Sequence, residues 1–178
     1  VKSISPTFGG INLEDIKAPE AFEIEKRLIN ELDIPVMHDD QHGTAIISCA
    51  ALLNALELAE KKIENVKIIV SGAGASAISC TKLYISFGAK LKNIKMFDSK
   101  GLICKKRKDL SKEKKYFAIH ESESTLEKEI SGSDVFIGLS KGNIVSKSML
   151  KQMNKNPIVF AMANPDPEIP YADALETR

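Results

Sequence analysis

Two acidic pairs near the start of the chain are the residues whose types best suit metal chemistry. Glu14-Asp15 and Asp39-Asp40 lie in segments that predict loops. Carboxylates that converge from different loops suit a hard divalent cation such as Mg²⁺ or Mn²⁺. Adjacent residues of an extended loop point apart, so both members of a pair bind one ion only where the backbone turns. Ordinary solvated acids are the alternative and, from spacing alone, the commoner one.

Two histidines, His38 and His42, bracket the second acidic pair. Imidazoles four residues apart converge on one metal only when they lie on a helix, and Gly43 argues against a helix here. We therefore expect the histidines to have a structural role. Thr44 is then expected to cap a long apolar helix that runs to about Lys61.

A glycine-rich turn follows the apolar run at 68–70, which is typical of a strand covered on both faces. Gly72 and Gly74 let the backbone turn sharply and approach a ligand, and Ala77 is small enough for helix–strand packing. These residues fill the pattern G-x-G-x-x-G/A, in which a pyrophosphate lies at the N-terminus of the following helix. Because glycine turns after strands are common, a purely structural turn is the alternative.

Asp98 ends the second strand of this unit, predicted at 94–97, about twenty residues beyond the glycines, where a ribose-binding acid is expected. Its carboxylate would accept hydrogen bonds from both adenosine-ribose hydroxyls and repel a 2′-phosphate. An ordinary strand-end aspartate before a turn is the alternative. Ser99 and Lys100 could both contact a 2′-phosphate, so the sequence favours NAD and leaves NADP open.

Two asparagines, Asn143 and Asn164, follow later strands at the carboxyl edge, where open α/β sheets bind ligands. An amide there could bind a carboxylate or the nicotinamide carboxamide. The alternative for Asn164, which precedes a proline, is an Asx turn.

A basic run covers residues 105–108 and continues through Lys112, Lys114 and Lys115. The run has no interleaved aromatic residues and has acids nearby, so it predicts a solvated loop rather than a nucleic-acid surface. The net charge of +1 over 178 residues agrees, because it gives no reason to expect a polyanionic partner.

Strand and helix patterns alternate from Val66 onwards, with further strands predicted at 135–138 and 158–161. This alternation predicts an α/β fold, a Rossmann-like, doubly wound parallel sheet with helices on both faces. We expect two parts: a loop and helix segment over 1–43, and a nucleotide-binding domain over 44–178. In the first part, Pro19 would start a helix that runs to about Leu32.

The three cysteines are widely spaced and form no CxxC pair, which argues against a zinc site or a disulfide framework. A reducing compartment, the cytoplasm, is the expected location. No stretch is long and apolar enough to span a membrane, and no signal-peptide pattern is present. The chain begins at Val1, so we expect it to be a piece of a longer protein.

Six blocks in order resemble a bacterial-type malic enzyme: ISPTFGGINLEDI, PVMHDDQHGTA, VSGAGASAI, MFDSKG, DVFIGLS and FAMANPDPEI. The resemblance implies that the metal is held by Glu14, Asp15 and Asp40. It implies that Asp39 belongs to the polar network around the catalytic base, and that Asn164 is the substrate-side amide. The cofactor contacts it implies are Gly72, Gly74, Ala75, Ala77, Asp98 and Asn143.

The implied reaction is the oxidative decarboxylation of L-malate to pyruvate and CO₂ with NAD⁺ or NADP⁺ and Mg²⁺ or Mn²⁺. In that family a tyrosine acid and a lysine base come from an N-terminal domain, so this chain alone is not expected to turn over malate. A homodimer is implied for the full-length protein. The alternatives are another two-domain dehydrogenase and a non-catalytic dinucleotide-binding module.

Overall fold

The structure, a computed structural model, describes residues 1–17 and 19–177. The first part of the chain forms a 3₁₀ turn (Ser5–Thr7), strand β1 (Ile11–Leu13), helix α1 (Glu20–Glu31) and strand β2 (Val36–His38). β1 and β2 pair in parallel, with Leu13 opposite His38. Because each acidic pair directly follows one of these strands, the pairing brings both pairs to the same edge.

A long helix, α2 (Asp39–Leu58), begins immediately after β2. The predictions of a loop at 38–43 and of a start at Thr44 are therefore wrong. The carboxylates of Asp39 and Asp40 lie in the first turn, where the positive end of the helix dipole favours them. Gly43 lies inside the helix, and the Asp39 side chain lies across it: a Cβ at Gly43 would sit 2.1 Å from Asp39 Oδ1.

The predicted boundary between the two parts, at residues 43 and 44, falls inside this continuous helix. The helix buries one face, which carries Ala45, Cys49 and Leu52, and leaves Ile46 and Ile47 exposed. Where one part ends and the other begins stays a prediction.

A five-stranded sheet in the order β5-β4-β3-β6-β7 carries the rest of the chain. Its strands are β3 (Ile68–Ser71), β4 (Ile94–Asp98), β5 (Gly101–Leu102), β6 (Val135–Gly138) and β7 (Ile158–Ala161). All neighbours pair in parallel except β4 and β5, a short antiparallel pair at the edge. The predicted parallel strands are thus confirmed, β6 and β7 with the predicted bounds.

Helices cover both faces of this sheet, as the alternation predicts. The connections form α3 (Ala75–Ser86), α4 (Lys112–Lys115), α5 (Leu126–Ile130), α6 (Lys147–Lys151) and α7 (Tyr171–Thr177). Ile68 and Val70 point into a core shared with α2 and α3, whereas Ile69 between them packs in a second core with α5 and α6. Successive strand residues point to opposite faces of the sheet, and β3 has apolar side chains on both. β3 is therefore buried on both sides.

The three cysteines are free and buried. Burial raises the pKa of the Cys80 thiol, which keeps it protonated and unreactive. Among the described residues, no helix combines the length and apolar character needed to cross a membrane.

Candidate functional site

A cleft of about 1230 Å³ opens at the carboxyl ends of the parallel strands. Its walls are the glycine turn after β3, the end of β4 with the turn that follows, and the loop after β6. β3 lies between β4 and β6 in the sheet. The chain passes from β3 to β4 on one side and later returns to add β6 on the other side of β3, so the strand order reverses at β3. Such a switch point is where doubly wound sheets bind dinucleotides.

The two glycines of the turn have different physical roles. Gly72 has φ +121°, and a Cβ there would lie 2.3 Å from the backbone oxygen of Leu139. Gly72 is therefore required by packing against the loop after β6. Gly74 has an extended backbone and caps α3, and a Cβ there would meet nothing within 4 Å. The open space in front of Gly74, at a helix N-terminus, fits a pyrophosphate.

The helix that starts at this turn is anchored to the acidic segment. Ala75 is its first residue, and Ala77 is buried in the core against the sheet. Between them, Ser76 donates its hydroxyl to the backbone oxygen of Asp40 at 2.5 Å. The nucleotide turn and the first turn of α2 are therefore in direct contact.

Asp98 ends β4 at the rim of the cleft, as predicted, and its carboxylate already accepts four hydrogen bonds. Arg107 donates to both oxygens at 2.7 and 3.0 Å, Lys114 donates at 2.9 Å, and the backbone N–H of Lys100 donates at 3.0 Å. Burial opposes ionisation of Asp98, but the hydrogen bonds from Arg107 and Lys114 outweigh it and lower its pKa to about 2. Its proposed contact with a ribose stays a prediction.

The prediction of a solvated basic loop is wrong for Arg107. Its side chain is only 8% exposed and bridges Asp98 and Asp109. The guanidinium turns inward because its planar fork can serve two carboxylates at once. The neighbouring cationic residues stay more exposed, at 67% for Lys100 and 28% for Lys114.

The two predicted metal-binding pairs lie side by side. The backbone N–H of Asp15 donates to Asp40 Oδ2 at 3.1 Å, and Asp15 has φ 56°, so the backbone does turn there. Glu14 accepts a hydrogen bond from Asn12 at 3.1 Å. Within residues 1–17 and 19–177, however, no three His, Cys, Asp or Glu side chains are close enough together to hold a metal.

The two histidines beside these acids take separate places. His38 is fully buried, and neither of its ring nitrogens has a hydrogen-bond partner within the described residues. Glu25, on α1, accepts from the backbone N–H of His38 and contacts His42 Nε2, both at 2.9 Å. The imidazoles do not converge, and Glu25, which the sequence analysis missed, holds the segment to α1.

The two predicted asparagines are exposed at the carboxyl edge, but neither lines the cleft itself. Asn143 has φ 59°, and its backbone N–H donates to the oxygen of Pro167 at 3.0 Å. Asn164 follows β7 and precedes a cis peptide bond to Pro165.

A fully buried acid, Glu168, lies beneath these loops and was not recognised from the sequence. It accepts hydrogen bonds from the backbone N–H groups of Ser140 and Ala163 at 3.0 and 3.1 Å. A Cβ at Gly138 would sit 2.2 Å from its carboxyl carbon. Nothing in the local sequence distinguishes Glu168 from an exposed acid in a proline-framed turn.

Comparisons with known proteins agree with this geometry. The family described as malic enzyme, NAD-binding domain, matches residues 41–174. The chain is 51% identical over 178 residues to a protein of Halomonas elongata named NADP-dependent malic enzyme, covering all of this chain and 42% of that protein. It is 51% identical over 170 residues to a Rhizobium meliloti protein named NAD-dependent malic enzyme, covering 95% of this chain and 22% of that one.

A solved structure gives the same result. The crystal structure of the Entamoeba histolytica malic enzyme aligns with a TM-score of 0.94 at 41% identity, covering 99% of this chain and 38% of that chain. The chain thus spans less than half the length of these three relatives. With three quarters of its residues matched by the family and its fold shared over almost its whole length, the chain belongs to the malic enzyme family.

Proposed function

We propose that the protein carrying this sequence converts L-malate to pyruvate and CO₂ by oxidative decarboxylation with NAD⁺ or NADP⁺. The observation that carries the proposal is the contact between Ser76 and Asp40. It joins the helix at the nucleotide turn to the segment that holds the family's acidic residues, so a bound dinucleotide and a substrate held by those acids would be neighbours.

We propose a direction for the dinucleotide in the cleft. In a doubly wound sheet the adenosine half lies towards the strand that ends in the ribose acid, and the nicotinamide half lies across the switch point. We therefore propose that the adenosine half lies towards Asp98 and that the nicotinamide half lies towards the loops after β6 and β7. The N–H groups at the start of α3 would bind the pyrophosphate.

The chemistry that NAD(P)⁺ supplies when bound is acceptance of a hydride from C2 of malate. We propose that the Asn164 amide donates hydrogen bonds to a substrate carboxylate and that Asn143 lies against the nicotinamide half. We propose that Asp39, whose side chain lies across Gly43, orients the polar groups that accept the substrate's proton. Tyr84 has no such role, because it is fully buried and donates its hydroxyl to Ser48 at 2.9 Å.

Both NAD⁺ and NADP⁺ are proposed as cofactors. Asp98 would repel a 2′-phosphate if it stood alone, but the Arg107 and Lys114 side chains donate to its carboxylate, and Lys100 pairs with the neighbouring Asp109. The surrounding charge therefore offsets the repulsion. Calorimetric titration with each dinucleotide measures the preference directly, and a failure to bind either one would contradict the proposal.

A divalent metal, Mg²⁺ or Mn²⁺, is proposed on the residues that the family resemblance implies, Glu14, Asp15 and Asp40. The hydrogen bond from the backbone N–H of Asp15 to Asp40 supports it by placing the two segments side by side, although the three carboxylates do not converge among the described residues. Mn²⁺ titration of the wild type and of Asp40→Asn tests the assignment. Asp33→Asn is the control, because Asp33 is an exposed acid that lies outside both acidic pairs. We expect only Asp40→Asn to weaken Mn²⁺ binding, and equal binding by all three proteins would refute it.

The decisive test of the activity uses the full-length protein. L-malate should reduce NAD⁺ or NADP⁺, with pyruvate and CO₂ formed in equal amounts and Mn²⁺ required. Dinucleotide binding without malate-dependent reduction would favour the alternative of a non-catalytic binding module. Reduction without CO₂ release would favour another dehydrogenase.

Assembly and location complete the proposal. We propose a homodimer, to be tested by sedimentation of the full-length protein, and a cytoplasmic location. The three free, buried cysteines fit a reducing compartment. Detection of the protein in an oxidising compartment would contradict the location.

A further inference from the structure

Glu168 is buried under the nicotinamide side of the cleft. Its Oε1 accepts from the backbone N–H of Ser140 at 3.0 Å and lies 3.4 Å from the Ser140 hydroxyl. Its Oε2 accepts from the backbone N–H of Ala163 at 3.1 Å. One carboxylate thus ties the loop after β6 to the loop after β7.

The network continues across a third strand. The Ser140 hydroxyl lies 2.9 Å from the hydroxyl of Ser71 at the end of β3. The carboxyl ends of β3, β6 and β7 are therefore joined by one chain of polar contacts, and Ser71 and Ser140 both line the cleft. The backbone of Glu168 takes part as well, because the backbone N–H of Val145 donates to the backbone carbonyl oxygen of Glu168 at 2.9 Å.

The arrangement needs a side chain with two acceptor oxygens. The two backbone N–H groups approach different oxygens, whereas a glutamine amide offers one acceptor oxygen and an NH₂ group that only donates. Glutamine would therefore place a donor against a donor. Gly138 completes the site, because any side chain there would occupy the space of the carboxylate.

We propose that Glu168 is a positioning residue for the nicotinamide half of the cofactor: it sets the spacing between the loops after β6 and β7 without touching the cofactor itself. This inference rests on the proposed function, because it takes that side of the cleft as the nicotinamide site. The adenosine side, built on the glycine turn and β4, makes no contact with Glu168 among the described hydrogen bonds.

The test compares two ligands on the full-length protein. NADH, or NADPH if the wild type prefers it, occupies the whole cleft, whereas ADP occupies only the adenosine and pyrophosphate part. In Glu168→Gln we expect the affinity for the reduced dinucleotide to fall about tenfold, as for the loss of one buried hydrogen bond to a charged group. The affinity for ADP, measured by the same calorimetry, should change less than about twofold.

Asp134→Asn is the matched control. Asp134 is also a largely buried carboxylate with several partners, Lys61, the backbone of Lys67 and Asn154, but it lies at the opposite edge of the same sheet. Its replacement should lower stability while leaving both affinities unchanged. This control separates a general loss of stability from a local loss of geometry.

If Glu168→Gln does not fold, Glu168→Asp takes its place, since it keeps the charge but withdraws the carboxylate from one of the two N–H groups. The same selective loss of dinucleotide affinity is expected. Equal losses for ADP and dinucleotide, or no loss for either, would overturn the inference. A wild type that binds neither NADH nor NADPH would instead refute the proposed function.

Discussion

Replacing Gly72 with alanine should destabilise the fold, whereas the same replacement at Gly74, two residues later, should spare the fold and weaken dinucleotide binding. The two positions belong to one sequence pattern but meet different surroundings. Gly72 has φ +121°, and a Cβ added there would lie 2.3 Å from the backbone oxygen of Leu139. A Cβ added at Gly74 would face open space. The pair therefore separates the structural from the binding role of the turn.

The size of the effect at Gly72 follows from two terms. A side chain at positive φ costs on the order of 1–3 kcal/mol. Forcing a methyl group against a backbone carbonyl, which cannot rotate away as a side chain can, costs about 1–3 kcal/mol more. A combined loss of about 3 kcal/mol corresponds to a fall of roughly 6–12 °C in Tm for a chain of this size.

At Gly74 the same methyl group costs little. The backbone is already extended, so the methyl group adds no backbone strain, but alanine caps a helix less well than glycine, so the expected loss of unfolding free energy is about 0.5–1 kcal/mol. The methyl group would, however, enter the space in front of α3. We expect NADH affinity, measured by calorimetry, to fall about tenfold or more.

Thermal unfolding followed by circular dichroism, with NADH titration of each variant, measures both quantities. A Gly72→Ala protein as stable as the wild type would refute the packing argument. A Gly74→Ala protein that binds NADH normally would refute the assignment of the open space to the pyrophosphate.

Three further predictions concern individual side chains. Although burial opposes it, hydrogen bonds from basic partners lower the pKa of Asp98 to about 2, so its stabilising contribution is complete above about pH 4 and is lost as the pH falls towards 2. Asp98→Asn should abolish that part of the acid-induced decline in urea unfolding, and an unchanged decline would contradict the pairing. Gly43→Ala should displace Asp39 and lower kcat of the full-length protein about tenfold while NADH affinity holds; an unchanged kcat would contradict it. Tyr84→Phe should lower the unfolding free energy by about 1 kcal/mol in urea titrations, because Ser48 loses its buried donor; full stability would show that the bond contributes nothing.

Local sequence patterns were sufficient where a single element decides the outcome. The β-branched run of β3 and the apolar runs of β6 and β7 each determine a buried strand by themselves. The glycines, with Asp98 about twenty residues on, predict the nucleotide turn, because the spacing reflects one strand–helix–strand unit. The four parallel strands of the main sheet and the fold class followed from these patterns.

Patterns failed where side-chain contacts went against the local preference. Gly43 is a poor helix residue by itself, yet it lies inside the helix, where the side chain of Asp39, one turn earlier, uses the space that glycine leaves. Arg107 belongs to a run of cations that predicts a solvated loop, but Asp98 and Asp109 draw it inward. In both cases the deciding contact is made by a carboxylate, and the sequence does not show which way that side chain points.

The sequence by itself determined the alternation of strands and helices, the glycine turn at the head of α3 and the family blocks, because all of these are local and carry their own periodicity or spacing. Only the tertiary structure decided that Asp15 and Asp40 meet, since this depends on a parallel pair of three-residue strands too short to be recognised. It also decided that Glu168 is buried beneath the cleft. A carboxylate becomes a buried clamp only when two backbone N–H groups from different loops converge on it, and that convergence is a property of the folded sheet.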